Sequence, residues 1–490
     1  MGETEIAVAH AELSARQLAD GAYGPALESM TTALRLAPGV AALWAQFSDL
    51  VRYFNFRHPA EPVRELLARA LEHPAVDPGN LVRPITSIAL SHPQGALAEP
   101  LLLRLLEDVV IRDASLERLI VDTRRRMLDE ELPLPLMVAI AHQCFNTEYV
   151  FEETDEERAK LERLRNPSSA HECAVYAAYR PLQSENVPVA SLARRQVLEP
   201  REERRLAAGI ASLSGAQSAV SAAVQAQYEA NPYPRWMRTQ SVFAQDAPVS
   251  LARNPRILVA GCGTGQHTIT TARRYAGATV LAVDLSLPSL AYAKRKTLEL
   301  GLAGIEYRQA DILALGSLEE RFDLIECSGV LHHLEDAAAG WRILARLRKP
   351  GGLMRVGLYS EAGRRAVVRA RELIAARGFA PDAQGIRACR AAIRNDVSLV
   401  QIARNEDFYS MSGCRDLLFH VNELRFSLPQ VRRMLDELGL RFLGFEFSDS
   451  GATLSRYRAR YSQDLDLDNW HEFEQEFPDT FARMYQFWVS

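Results

Sequence analysis

Apolar positions recur with a helical period through residues 7–198, and from residue 256 onward they gather into short unbroken runs. In the first region Leu66, Leu67, Ala70 and Leu71 form one helical stripe, and Leu101, Leu102, Leu105, Leu106, Val109 and Val110 form a wider one. Leu116, Leu119 and Ile120 continue the series, as do Leu136, Val138, Ala139, Ala141 and Phe145, with breaks at Pro133, Pro135 and Pro167. Residues three and four apart share a helix face, so an all-helical domain over 1–198 is predicted. In the second region strand-like runs at 257–260, 279–283, 305–309, 322–327 and 353–359 alternate with helical patterns at 266–276, 286–300 and 341–347. That alternation predicts an α/β domain over 256–490 built on a doubly wound parallel sheet. Beyond it the pattern predicts a helix at 428–438, a strand at 441–447, a last antiparallel strand at 453–461 and a terminal helical pair over 467–488, broken at Pro478.

Chemistry-bearing residues stand where the predicted strands end. Gly261, Cys262, Gly263, Thr264 and Gly265 follow the first run. Glycines at alternate positions let the backbone turn tightly and a ligand approach it closely, because they lack Cβ. Asp284, followed by Leu285, closes the second run and can accept two hydrogen bonds from a ribose diol. Asp311 and Ile312 follow the third and can meet an adenine, one at its exocyclic amine and one at its face. Ligands of such sheets lie beyond the carboxyl ends of the strands. Together these residues imply an adenosine ligand. A dinucleotide fingerprint would place its third glycine where Gln266 stands, and the loop lacks the Lys and Ser/Thr of a phosphate-binding loop.

Residues 228–360 resemble class I S-adenosylmethionine-dependent methyltransferases. The resemblance rests on VAGCGTG at 259–265, Asp284, QADIL at 309–313, VLHHL at 330–334 and KPGG at 349–352, in that order. It implies a seven-stranded Rossmann-like sheet and S-adenosyl-L-methionine as cofactor. It also implies that Gly261, Gly263 and Gly265 pass under the methionine portion, that Asp284 takes the ribose and Asp311 the adenine, and that Cys327, Ser328 and Gly329 lie beside the cofactor. Cys262, Leu285 and Ile312 complete the expected cofactor set. Residues 7–40 are similar to a tetratricopeptide repeat, whose period is about 34 residues. Gly21, Tyr23, Ala26, Met30, Ala33 and Pro38 fall at its positions, and Trp44 opens a degenerate second repeat.

Methyl transfer is an in-line displacement, so an enzyme mainly positions the acceptor and dries the site. An oxygen or protonated-nitrogen acceptor also needs a base. His332 and His333 are candidates, with capping or packing against the sheet as the alternative for each. Tyr228 is a further catalytic candidate. Glu326 is another, as a holder of an acceptor amine or simply as a polar strand end. The stretch 228–236, stiffened by Pro232 and Pro234, reads as a lid or as domain packing within a joining segment, 199–255. It contributes Tyr233, Arg235 and Trp236 to the expected acceptor side. A cap inserted at about 360–426 contributes Tyr409, Arg415, His420 and Glu423.

Composition narrows the classes. The net charge of −5 argues against a general nucleic-acid grip. The six cysteines are dispersed, which predicts neither a disulfide framework nor a zinc site, and no metal is expected. Arg124, Arg125 and Arg126 read as a solvated helix end in preference to a phosphate site. No apolar stretch reaches membrane-spanning length and no signal peptide is predicted, so a cytoplasmic enzyme is expected. Three functions follow: a methyltransferase acting on a protein or peptide side chain presented by the helical region, a small-molecule O- or N-methyltransferase, or a non-catalytic cofactor-binding scaffold.

Overall fold

The computed structural model describes residues 2–213, 218–239, 249–447 and 451–490, so residues 214–217 and 240–248 of the joining stretch lie outside the described residues. The chain divides into two compact units. One comprises Met1–Pro200 with Trp236–Val242, the other Arg201–Arg235 with Phe243–Ser490. The expected three-part division thus becomes two units, with the joining stretch shared between them.

The first unit is helical. Its opening hairpin, Glu3–Ala19 and Tyr23–Leu36, packs through the small buried side chains Ala7, Ala11, Ala26 and Ala33. Ser14 Oγ donates to the Ala26 carbonyl at 2.7 Å, which is reachable only where the helices approach closely. Trp44, on the helix Ala41–Val51, is buried and its indole N–H donates to the Pro38 carbonyl at 2.8 Å. The arginine run does not behave uniformly as a solvated end. Arg124 is buried, 3.1 Å from Glu157, and Tyr179 OH donates to the same carboxylate at 2.8 Å. A buried guanidinium needs such a partner, because desolvating an unpaired charge costs several kcal/mol.

The second unit is built on an eight-stranded sheet. In chain order the strands are β1 (Ala211–Ser212), β2 (Arg256–Ala260), β3 (Thr279–Asp284), β4 (Ile305–Gln309), β5 (Phe322–Ser328), β6 (Arg348–Leu358), β7 (Phe442–Phe445) and β8 (Tyr485–Val489). Their spatial order is β1-β4-β3-β2-β5-β6-β8-β7. β1 to β6 are parallel, and β8 runs antiparallel between β6 and β7. The central strand β2 is buried on both faces: Leu258 and Ala260 join one core, Ile257 and Val259 the other. That is why the run reads as unbroken apolar sequence.

Two elements differ from expectation. Residues 453–461 do not form the last strand; Ala452–Arg458 is a helix. The terminal helical pair is one helix, Leu467–Glu476, a short turn of 3₁₀ helix, Pro478–Phe481, and then β8. The last antiparallel strand is therefore drawn from residues assigned to a helix, and the sheet gains an eighth strand from the short edge pair Ala211–Ser212.

Between β6 and the helix Leu428–Leu438 the chain leaves the sheet. It forms the helices Arg365–Arg377, Ala383–Arg394 and Met411–Phe419 and returns at a parallel bridge between Ser360 and Phe426. This excursion carries a wall of the site.

Candidate active site

The turn after β2 is fixed by hydrogen bonds that leave no room for side chains. Gly261 and Cys262 donate their N–H groups to the Val283 carbonyl at 2.8 and 2.9 Å. Gly263 has φ +52°, and a Cβ there would stand 2.5 Å from the Tyr233 carbonyl oxygen. At Gly261 a Cβ would stand 2.2 Å from Val330. Both positions therefore demand glycine, for conformation and for space.

The Tyr233-Pro234 segment lies directly on this loop. Thr264 N–H donates to the Tyr233 carbonyl at 3.3 Å and Thr264 Oγ1 to the Pro234 carbonyl. The helix Ala219–Ala230 ends just before it, and the Tyr228 carbonyl accepts from Ser286 Oγ at 3.0 Å.

A cavity of about 360 Å³ opens beyond the carboxyl ends of the strands, a volume typical of small-ligand sites. Gly261, Cys262, Gly263, Asp284, Leu285, Asp311 and Ile312 line it on one side. Asp284 accepts from Gly263 N–H at 2.8 Å and from Ser286 N–H at 2.9 Å. Its burial pushes the carboxyl pKa up. Asp311 Oδ2 is buried without a hydrogen-bond partner among the described residues, and Asp311 Oδ1 accepts from Leu313 N–H at 2.9 Å. A buried carboxylate oxygen left open in a cavity wall is suited to a ligand N–H donor. The glycine cradle and these two carboxylates fit an adenosyl group.

The rest of the lining includes Tyr228, Tyr233, His333, Tyr359 and Asp416. Tyr228 OH donates to Asp416 Oδ1 at 2.5 Å, and Tyr233 OH donates to Asp407 Oδ1 at 2.9 Å. The backbone N–H of Asn422 donates to His420 Nδ1 at 3.1 Å. In the neutral ring the proton is then on Nε2, which donates to Tyr228 OH at 3.2 Å. His333 has the other tautomer: Nδ1–H donates to the Asn422 carbonyl at 2.8 Å, leaving Nε2 with a lone pair. Burial pushes His333 down to about 4 and His420 to about 2, so both imidazoles are neutral at neutral pH. Burial pushes Asp416 up to about 6, with the Tyr228 hydrogen bond opposing it.

Imidazole nitrogens of His333 and His420 and a carboxylate oxygen of Asp416 come within 4.8 Å of one another. The two rings are stacked, with centroids 3.6 Å apart and planes 18° from parallel. Their in-plane lone pairs run side by side and do not converge on one point, and the His420 Nε2 carries hydrogen. The cluster is a hydrogen-bonded network in form, not a metal cage.

Several expected site residues stand behind the wall. His332 does not line the cavity; it is buried and stacks on Tyr359, centroids 3.7 Å apart. Glu326 faces the interior, where its carboxylate accepts from Thr271 Oγ1 and lies 2.9 Å from His267 Nε2. Burial pushes Glu326 up, but His267 first, with Arg355 and Thr271, brings it down to about 2. It is committed to that network and does not reach the cavity.

Cys327 is buried beneath the wall, while its neighbours Ser328 and Gly329 line it. Gly265 serves packing: a Cβ there would meet Ala293 Cβ at 2.5 Å. Glu423 is paired with Arg364, and Arg415 donates to Asn231 Oδ1 at 2.6 Å. Tyr409 is buried and Arg235 half-buried, and neither lines the cavity. Trp236 is buried and belongs with the helical unit. His420 acts from behind, through Tyr228 and His333.

Sequence reasoning missed Tyr359, Asp407 and Asp416 as individual site residues. The two aspartates bound the polar stretch 407–416, but their tyrosine partners lie more than 170 residues earlier, as the separations of 188 and 174 show.

Residues 257–352 match the family model described as a methyltransferase domain. A protein of Synechococcus sp. called uncharacterized is 32% identical over 257 residues, which cover 47% of this chain and 61% of that relative. The ubiquinone biosynthesis O-methyltransferase of Paracidovorax citrulli is 40% identical over 98 residues, 20% of this chain and 40% of that enzyme. The structure of PKMT2 from Rickettsia typhi in complex with AdoHcy matches with a TM-score of 0.38 at 16% identity, covering 56% of this chain and 52% of that one. The chain thus spans about three fifths of the Synechococcus relative's length and two fifths of the Paracidovorax enzyme's. Residues 257–352, which line part of the cavity, define an S-adenosylmethionine-dependent methyltransferase domain.

Proposed function

We propose that this chain transfers a methyl group from S-adenosyl-L-methionine to a side chain of a protein or peptide, with the helical unit and its tetratricopeptide-like hairpin recognising the acceptor. One observation carries the catalytic part: a single cavity holds an adenosyl-fitting wall, with Gly261, Gly263, Asp284 and Asp311, and a polar wall with Tyr228, His333 and Asp416. In this reading Asp284 takes the ribose hydroxyls, Asp311 the adenine amine, and Leu285 and Ile312 flank the base. The cofactor supplies an activated methyl group on a positive sulfur. The chain's residues place an acceptor in line with it and exclude water. Tyr233 and Pro234 close the loop side, and His333 and Tyr228 set the polar edge of the acceptor space. A cytoplasmic location and an acceptor that is not nucleic acid belong to the same proposal. Among the described residues no helix is long and apolar enough to cross a membrane.

A small-molecule acceptor is the second reading, favoured by the names of the ubiquinone-biosynthesis relatives. Incubating the purified chain with methyl-labelled cofactor and cell extract separates the two. Label in the polypeptide fraction is expected. Label only in metabolites would replace the first reading with the second, and cofactor binding with no transfer to either fraction would leave a scaffold.

A further inference from the structure

The polar wall contains an anion without a cation. Asp416 is 4% exposed and lines the cavity, yet among the described residues it forms no ion pair. The guanidinium groups nearby are committed elsewhere: Arg364 to Glu423, and Arg355, also in the lining, to Glu446 at 2.8 Å. The imidazoles around it are neutral: the Asn422 N–H occupies the His420 Nδ1 lone pair, and burial holds His333 uncharged. What remains is one carboxylate bonded to one phenol, with Arg364 acting on it only through space. A buried, uncompensated carboxylate is costly, and such groups are commonly completed by a ligand of opposite charge.

Its surroundings favour the same partner. Tyr228 and Tyr233 present rings 6.5 Å apart and 28° from parallel, while the Tyr359 ring is already occupied by His332 and Arg364. Aromatic faces attract cations through their quadrupoles, most strongly where water is excluded. Both tyrosine hydroxyls donate into aspartates; the Tyr228 oxygen already accepts from His420, and the Tyr233 oxygen can accept an N–H group. A neutral hydroxyl acceptor would gain little from this wall.

We propose that Asp416, with Tyr228 and Tyr233 beside it, docks an ammonium group, and that the methylated atom is an amine nitrogen. This rests on the methyltransferase reading above. The ammonium gives one proton to the Asp416 carboxylate. The amine lone pair then forms the new nitrogen–carbon bond as the carbon–sulfur bond breaks and its electron pair stays on sulfur. The product is a methylated ammonium and a neutral thioether, and Asp416 returns its proton to water. The same chemistry fits a lysine side chain or a small free amine.

Binding of n-butylammonium and of 1-butanol to the full-length chain saturated with S-adenosylhomocysteine, followed by ligand-observed NMR, tests the assignment. The ammonium is expected to bind about tenfold tighter than the alcohol, and Asp416→Asn is expected to abolish the difference while retaining S-adenosylhomocysteine affinity. Equal binding of the two probes to the unaltered chain, or no binding of the ammonium, overturns the proposal without needing the variant to fold. Failure to bind S-adenosylhomocysteine at all is a separate result that removes the underlying reading. A blocked Ala-Lys-Ala peptide in a third arm distinguishes the source. If it binds tighter than n-butylammonium the amine belongs to a polypeptide; if it does not bind while the ammonium does, the amine is a small molecule.

Discussion

At the scale of single residues, Asp284 has two tasks in one carboxylate. It holds the backbone N–H of Gly263 and that of Ser286, and it faces the cavity. Replacing it with alanine removes a charged acceptor from a ribose and frees the Gly263 N–H. We expect Asp284→Ala to weaken S-adenosyl-L-methionine binding by about 1–3 kcal/mol, measured by titration calorimetry. An unchanged affinity would show that the ribose is held elsewhere. Residues of this kind are legible in sequence because their position after a strand dictates their place. Glu326 has the same chemistry two strands over, but it sits two residues deeper than the end of β5, where its carboxylate is taken up by Thr271 and His267.

At the scale of elements, the glycine turn and the Tyr233-Pro234 segment form one unit. A methyl group at Gly263 would collide with the Tyr233 carbonyl, and its left-handed φ adds strain for any other residue. Gly263→Ala is expected to cost about 1–3 kcal/mol of stability and to lower cofactor affinity together, read as melting temperature and calorimetric Kd. A variant that kept wild-type affinity would mean that the segment does not seal the loop.

The strands β2, β3 and β5 could be located from sequence because each is a largely apolar run flanked by turn residues, and β4 and β6 from their place in the alternation with helices. β8 could not. Tyr485, Phe487 and Val489 enter one core and Trp488 the other, so all these positions are apolar and the period of two disappears. The nearby Thr453–Tyr461 stretch has alternating arginines that suggest a strand, yet Gly451 caps a helix there. The polar wall was equally hidden. Its parts come from 228–233, 333, 359 and 407–422, and only the folded excursion between β6 and Leu428–Leu438 brings them together.

At the scale of the whole molecule, cofactor binding and stability are linked. Any ligand that binds only the folded state stabilises it by mass action. S-adenosylhomocysteine at about a hundredfold its Kd is expected to add about 2.7 kcal/mol to the unfolding free energy of the sheet-containing unit, seen as a rise in its melting temperature. No rise at such a concentration would mean that the unfolding transition observed leaves the cavity intact.

The position of β8 bears on how this unit is made. The four residues of β7 pair with β8 and with no other described strand, and β8 itself is wedged against β6. During synthesis β7 leaves the ribosome some forty residues ahead of its partner, counting from Phe445 to Tyr485. Until that partner arrives, β6 presents an open hydrogen-bonding edge and the core beneath it lacks Tyr485, Phe487 and Val489. The half of the sheet bearing the glycine turn can assemble on the nascent chain. The other half must wait, and a chain stopped before residue 485 would expose a sticky edge to its neighbours.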